Sequence, residues 1–111
     1  QKKEEILSAE CDQILNHISE IDYLILLDEK GSQYTSQAFA GQLQALFNKG
    51  MKKIVFVIGG AFGFEDQVYE RSNMQISLSS LTFNHDMVRL IFTEQLYRAL
   101  TILSGHPYHN D

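Results

Sequence analysis

Cysteine and proline each occur once in the 111 residues, and tryptophan does not occur. A single thiol, Cys11, excludes an internal disulfide and any zinc site built on cysteine, and a reducing, cytoplasmic setting is the natural inference. No apolar run approaches the ~20 residues that a membrane-crossing helix needs. Excess basic charge is missing too. Nine Lys and Arg stand against fourteen Asp and Glu, a net charge of −5, which argues against non-specific binding to nucleic acid because counterion displacement needs a basic face. A folded RNA met through a local patch stays compatible with that balance. The chemical signatures that are absent narrow the field further. There is no GxxxxGK[ST] phosphate loop, no GxGxxG fingerprint and no GxSxG nucleophile elbow.

What remains is an ordinary globular composition, 44% hydrophobic and 21% charged, in a length that makes residues 1–111 a single domain. No internal repeat, low-complexity tract or interdomain linker interrupts it. The sequence opens on Gln1 in what reads as the middle of a helix, so residues upstream are expected.

The organising stretch is Ile54 to Gly63. Ile54-Val55-Phe56-Val57-Ile58 is a run of five apolar residues, and such a run fits a strand buried on both faces in the middle of a parallel sheet. Gly59, Gly60 and Gly63 follow at once, where glycine permits a sharp turn and leaves no side chain between backbone and ligand. Open α/β sheets bind ligands at that place. A purely structural turn is the plain alternative.

Around this stretch, apolar residues at Ile6, Leu7, Cys11, Ile14, Leu15 and Ile18 recur at spacings of three and four, predicting a helix from Lys2 to about Ile18. Tyr23 to Leu27 predicts a second buried strand ended by Asp28, with turn chemistry over Glu29 to Ser32. Ser36 is placed to cap a helix carrying Phe39, Ala40, Leu43, Leu46 and Phe47 on one face and stopping at Gly50. A short helix from Glu65 to Arg71 and a strand through Met74, Ile76 and Leu78 come next. The last helix, His85 to about Leu103, has a main stripe of Val88, Phe92, Leu96, Ala99 and Leu103, with more apolar residues beside it. That excess predicts burial against a second subunit through Phe92 and Leu96. Alternating strands and helices give an α/β class, a parallel sheet with helices on both faces.

Two stretches beyond the glycine turn carry candidate chemistry. Leu78-Ser79-Ser80-Leu81-Thr82-Phe83 runs from a strand end into the start of the long helix, an arrangement that suits an adenine edge met by backbone groups and covered by Leu78, Leu81 and Phe83. The other is the tail, Ser104 to Asp111, with His106, Pro107, Tyr108 and His109. Cys11 reads as packing, His17 as a solvated or capping residue, and His106 with His109 as a weak metal pair at most.

In this order Phe56-Val57-Ile58-Gly59-Gly60, Gly63, Arg71-Ser72, Leu78 to Phe83, His85, Met87-Val88-Arg89, Glu94 to Ala99 and His106-Pro107-Tyr108-His109 resemble the RlmH-type ribosomal RNA methyltransferases of the SPOUT class. The resemblance extends more loosely back to Leu27, Asp28 and Gly31. It implies a SPOUT-like fold with a C-terminal trefoil knot and an N-terminal portion absent from this sequence. It also implies S-adenosylmethionine as methyl donor, a homodimer, and methylation of N3 of a pseudouridine in helix 69 of 23S ribosomal RNA within the assembled ribosome. No metal or membrane enters. Carried over residue by residue, the cofactor positions are Leu27, Gly59, Gly60, Leu78, Ser79, Ser80, Leu81, Thr82 and Phe83.

An imide nitrogen attacks only once its proton leaves, so a base or polarising cation is needed. His85, Arg98, Tyr108 and His109 are the candidates, and the sequence does not choose among them. Arg89 and Arg98 are also placed to bind phosphate or pair with Glu94. Two departures stand out: Asn84, where the family often has proline, is expected to loosen the turn before His85, and Asn110 stands where a basic residue is common. The rival readings are a non-catalytic flavodoxin-like nucleotide- or cofactor-binding module and a ligand-free dimerisation domain.

Overall fold

Leu24, Ile25, Leu26 and Leu27 are all buried. Successive strand residues point to opposite faces, so four buried neighbours require cover on both sides. The computed structural model describes residues 2–60 and 62–109, and it supplies that cover. The elements run α1 (Lys3–His17), β1 (Tyr23–Ser32), α2 (Ser36–Asn48), β2 (Ile54–Ile58), α3 (Asp66–Arg71), β3 (Met74–Ile76) and α4 (His85–Ser104). All three strands are parallel, in the order β2-β1-β3.

The in-register pairs Leu24↔Val55 and Leu26↔Val57 face one way, and Ile25↔Phe56 and Leu27↔Ile58 the other. On the first side Leu24 and Leu26 pack with Cys11 of α1 and Val68 of α3. On the second, Ile25 and Leu27 pack with Phe39, Ala40, Leu43 and Leu46 of α2 and Phe92 and Ala99 of α4. Phe39, Phe56 and Phe92 meet there in tilted and edge-on contacts, with centroids 4.8–6.5 Å apart. Each fully buried aliphatic side chain contributes about 1.5–3 kcal/mol, so this two-sided core outweighs the polar contacts at the rim.

The structure corrects several expectations. The strand at Ile54–Ile58 is an edge strand with every residue half-buried, and the centre belongs to β1. That strand runs past Asp28 to Ser32. It leaves its pairing with β3 after Leu27 and regains it at Ser32↔Ile76, so the expected turn is an irregularity within a longer strand. Thr35 rather than Ser36 caps α2, its hydroxyl accepting from the Ala38 amide at 3.0 Å. Phe47 lies on the outer side of that helix, 45% exposed. Leu78 falls beyond the end of β3. Asn84 does not loosen the start of α4 but caps it, its side chain accepting from the Met87 amide at 2.9 Å.

Phe92 is buried in the core, and Leu96 packs against that core, because the stripe they share is the one that meets the sheet. The outward face of α4 carries Met87, Leu90, Tyr97 and Leu100 instead. Gly105 ends the helix with φ 75°, the left-handed conformation that glycine adopts without penalty. Ala61 and the last two tail residues, Asn110 and Asp111, fall outside the described residues, and with them the expectation placed on Asn110.

Gly31 marks the tightest backbone approach. A Cβ there would sit 2.7 Å from the Gln75 carbonyl carbon and the Ile76 nitrogen, so Gly31→Ala must push β3 away from β1. Such overpacking costs about 1–3 kcal/mol. Urea unfolding of the variant is expected to show a clearly lower midpoint, and a parental midpoint would mean that the strands separate freely.

Candidate functional site

Parallel strands place all their carboxyl ends along one edge. From that edge the chain leaves β1 for α2 on one face and β2 for α3 on the other. Loops departing in opposite directions open a crevice between them, and open α/β sheets bind ligands in such a crevice. Leu27 is level with Ile58 and Ile76 at the ends of its neighbours, its side chain buried in the core with α2 and α4. Gly59 and Gly60 follow β2 at the same edge, and the Gly59 amide donates to the Leu27 carbonyl at 3.3 Å. Of the cofactor positions expected from the sequence, Leu27 and Gly59 are therefore joined directly.

Each of the three glycines also has a neighbouring side chain close to the place a Cβ would take. A Cβ at Gly59 would lie 3.0 Å from the Phe64 ring, at Gly60 3.2 Å from a carboxylate oxygen of Glu10, and at Gly63 3.2 Å from the Tyr69 hydroxyl. Neighbouring side chains thus fill the space that the missing side chains leave. Gly63 has φ 75°, and its amide donates to the Gly60 carbonyl at 3.2 Å, closing a tight turn.

The serines of the segment after β3 are also committed to shaping it. Ser77 Oγ donates to the Ser79 carbonyl at 2.9 Å, and Ser79 Oγ accepts from the Leu81 amide at 2.9 Å. The Gln33 amide, from the connection between β1 and α2, donates to Ser80 Oγ at 2.8 Å. Leu81 (69% exposed), Thr82 and Phe83 are left open to solvent, an uncovered apolar surface that suits a flat aromatic ligand. Beside this segment is a cleft of about 300 Å³ lined by Ser36, Phe39, Ile76, Leu78, Phe92 and Gln95, among others.

Gln95 connects that cleft to the catalytic candidates. Its side-chain oxygen accepts from Ser36 Oγ at 2.9 Å and its amide donates to Glu94 Oε1 at 2.9 Å. The other Glu94 oxygen accepts from Arg98 Nη2 at 2.7 Å, Arg98 Nε at 3.1 Å and the Tyr108 hydroxyl at 3.0 Å. Arg98 Nη1 lies 2.9 Å from His109 Nδ1, which makes that nitrogen the acceptor. The guanidinium also sits 5.0 Å from the Tyr108 ring centroid, and Tyr97 packs edge-on to that ring. Arg98, Tyr108 and His109 therefore form one cluster.

His85 does not join it. It opens α4, thirteen residues before Arg98, a helical rise of about 20 Å. The centre of the cluster is Glu94, which sequence reasoning treated only as a partner for arginine. Its spacing of four from Arg98 was legible, but the link to Tyr108 depends on how the tail folds back.

Hydrogen bonds from Arg98 and then from Tyr108 hold the Glu94 carboxyl below its ordinary value, against burial. The same bond to Glu94 raises the Tyr108 hydroxyl and the Arg98 guanidinium above theirs. In this arrangement Tyr108 is a donor and is poorly suited to act as a base at neutral pH. Elsewhere, Arg71 is a structural clamp, donating to the Ser19 and Asp22 carbonyls at 2.8 Å each. Burial raises the Cys11 thiol, and His17 Nδ1 donates to the Gln13 carbonyl of its own helix.

A family model described as "Predicted SPOUT methyltransferase" matches residues 1–109. Among curated relatives, proteins named "Ribosomal RNA large subunit methyltransferase H" are similar to this chain. That of Christiangramia forsetii is 50% identical over 103 residues, 93% of this chain and 66% of its own length. That of Flavobacterium psychrophilum is 54% identical over 101 residues, 91% and 64%. The Parabacteroides distasonis protein is 48% identical over 102 residues, 92% and 65%. The chain thus spans just under two thirds of the length of each.

The lowered Glu94 value fixes the sign of a pH effect. A carboxyl whose folded value is depressed stabilises the docked tail in full above its ordinary value of 4.5, and that contribution is lost as pH falls through the lower folded value. Acidification through that lowered value is therefore expected to release Tyr108 from α4. Glu94→Gln is expected to weaken the docking already at neutral pH. Ring resonances of Tyr108 in NMR spectra report both, and spectra unchanged by the substitution would remove Glu94 from the centre of the cluster.

Proposed function

We propose that this chain, which belongs to the SPOUT methyltransferase family, acts in an S-adenosylmethionine-dependent methyltransferase of ribosomal RNA. The observation that carries the reading is that Leu27 and the Gly59–Gly60 turn lie side by side at the carboxyl edge of the sheet, with Gly59 bonded to Leu27. In a chain matched almost end to end by a methyltransferase family, that edge is the natural cofactor site. The residues fit such a group: bare glycine backbone offers hydrogen-bonding atoms, and Leu78, Leu81 and Phe83 offer apolar cover. When bound, the sulfonium supplies an already activated methyl group.

The protein's own tasks are then to hold Leu27, Gly59, Gly60 and the 78–83 segment around the cofactor, to exclude water, and to place the target nitrogen in line. Within the cluster, Arg98 polarises the target ring, and His109, once its Nδ1 gives up the bond from Arg98, is the better suited of the two tail residues to take a proton. His85, at the far end of α4, is left to orient the RNA. The finer target is N3 of the pseudouridine in helix 69 of 23S ribosomal RNA within the ribosome, carried by the family resemblance.

Charge distribution supports an approach from one side. The α1 helix carries Glu4, Glu5, Glu10 and Asp12 against Lys3, and α3 carries Asp66 and Glu70 against Arg71, whereas α2 has no charged side chain and in α4 Arg89 and Arg98 balance Asp86 and Glu94. A polyanion is repelled by the first face and not by the second, so RNA comes to the α2 and α4 side. The reading further comprises one SPOUT domain over residues 1–111, a C-terminal trefoil knot, a cytoplasmic setting and a homodimer. Among the described residues no helix is long and apolar enough to cross a membrane.

Calorimetry is expected to show saturable binding of S-adenosylmethionine in preference to FMN or ATP, and mass spectrometry of rRNA from ribosomes incubated with the protein and labelled cofactor one added methyl group. A preference for FMN or ATP would instead favour the binding-module reading. For the dimer, the outward stripe of α4 replaces Phe92 and Leu96 as the expected contact. Leu90, 65% exposed, is its test. Leu90→Glu would bury an unpaired carboxylate at a cost of several kcal/mol. Light scattering is expected to turn from dimer to monomer, and an intact dimer would rule out this face.

A further inference from the structure

Three side chains press on the glycine turn from behind, and two of them form a unit that reaches back to β1. Phe64 stacks edge-on with Tyr69, with centroids 5.6 Å apart at 89°. The Phe64 ring fills the space beside Gly59, and the Tyr69 hydroxyl the space beside Gly63. That second space is bounded also by Asp28 Oδ1, 3.8 Å from where a Gly63 Cβ would lie. Asp28 follows Leu27 directly in β1 and uses its other oxygen to accept from the Lys30 amide at 3.2 Å. The Tyr69 hydroxyl and Asp28 therefore meet at the same place, where the end of β1 lies against the turn after β2.

We propose that Tyr69 is a positioning residue for the cofactor site: placed beside both Gly63 and Asp28, its hydroxyl holds the Gly60–Gly63 turn against the end of β1. The inference rests on the cofactor reading above. Burial and the adjacent Asp28 carboxylate both raise the Tyr69 hydroxyl above its ordinary value, which keeps it protonated and able to donate to Asp28. The turn itself is short of other anchors. Its described backbone bonds are the Gly59 amide to the Leu27 carbonyl and the Gly63 amide to the Gly60 carbonyl, and only the first reaches β1.

Tyr69→Phe keeps the ring against Phe64 and removes only the hydroxyl. Its effect on cofactor affinity separates positioning from mere support. Losing one hydroxyl contact leaves the protein folded, so a purely structural residue does not change a dissociation constant. Titration calorimetry with S-adenosylhomocysteine is expected to give a Kd raised about tenfold in Tyr69→Phe, the loss of one hydrogen bond to a charged group. Asp28→Asn, which keeps an acceptor facing the hydroxyl, is expected to bind as the parent does. Asp28→Ala is expected to bind as Tyr69→Phe does, and the double variant no worse than either, since both remove the same bond.

Binding by the parent with an unchanged Kd in Tyr69→Phe would overturn this inference alone. Additive losses in the double variant would overturn the bridge between the two residues. Absence of binding by the parent would overturn the cofactor reading and this inference together.

Discussion

Everything in this small domain depends on burying β1 from both sides. Leu24 to Leu27 leave no polar face, so the strand is stable only between two layers of helix, and its neighbours must alternate in the same register for both layers to close. With β2 on one side of it and β3 on the other, the chain has to cross the sheet twice, and it does so on opposite faces. The loops at the carboxyl edge therefore leave toward opposite faces, a consequence of the core's demand for two-sided cover.

The residues around that place are committed to rigidity more than to ligand contact. Ser77 and Ser79 bond within their own segment, Gln33 fixes Ser80, and Phe64, Glu10 and Tyr69 occupy the space beside three glycines. What is left exposed is backbone and apolar surface. Such a site suits a ligand recognised by shape and by main-chain hydrogen bonds, and pre-set loops lower the ordering cost of binding.

Strong periodicity made most elements legible in the sequence. The α1 and α4 helices begin and end within a residue or two of the positions read from apolar spacing, Asn48-Lys49-Gly50 does stop α2, and the parallel class follows from alternation alone. Sheet order was not legible, because an all-apolar strand reads the same in the centre as at an edge that is half covered; Ile54–Ile58 was misplaced for that reason. The stripe of α4 was identified but its direction was not, since periodicity gives a face and says nothing of which neighbour it meets. Of the candidate site, the glycines and the 78–83 segment were singled out by turn chemistry and Leu27 by the resemblance alone. The Glu94 cluster and the Tyr69 bridge were not, because they join residues fourteen positions apart in one case and forty-one in the other.

The tail illustrates how weak contacts can serve a site. Tyr108 and His109 are held to α4 by one carboxylate, one guanidinium and two ring contacts, all at partly or fully exposed positions. Interactions of that kind are screened by salt and offset by the entropy of ordering the side chains. The docked tail is therefore easily exchanged for another partner with similar groups. A nucleic-acid base presents a flat ring for Tyr108 and acceptors for Arg98, and a phosphate competes directly with Glu94 for the guanidinium. Glu94 keeps Arg98 and Tyr108 oriented. The Ser36–Gln95–Glu94 chain ties that carboxylate to the edge of the cleft, so the tail is held at a position that the packed helices set.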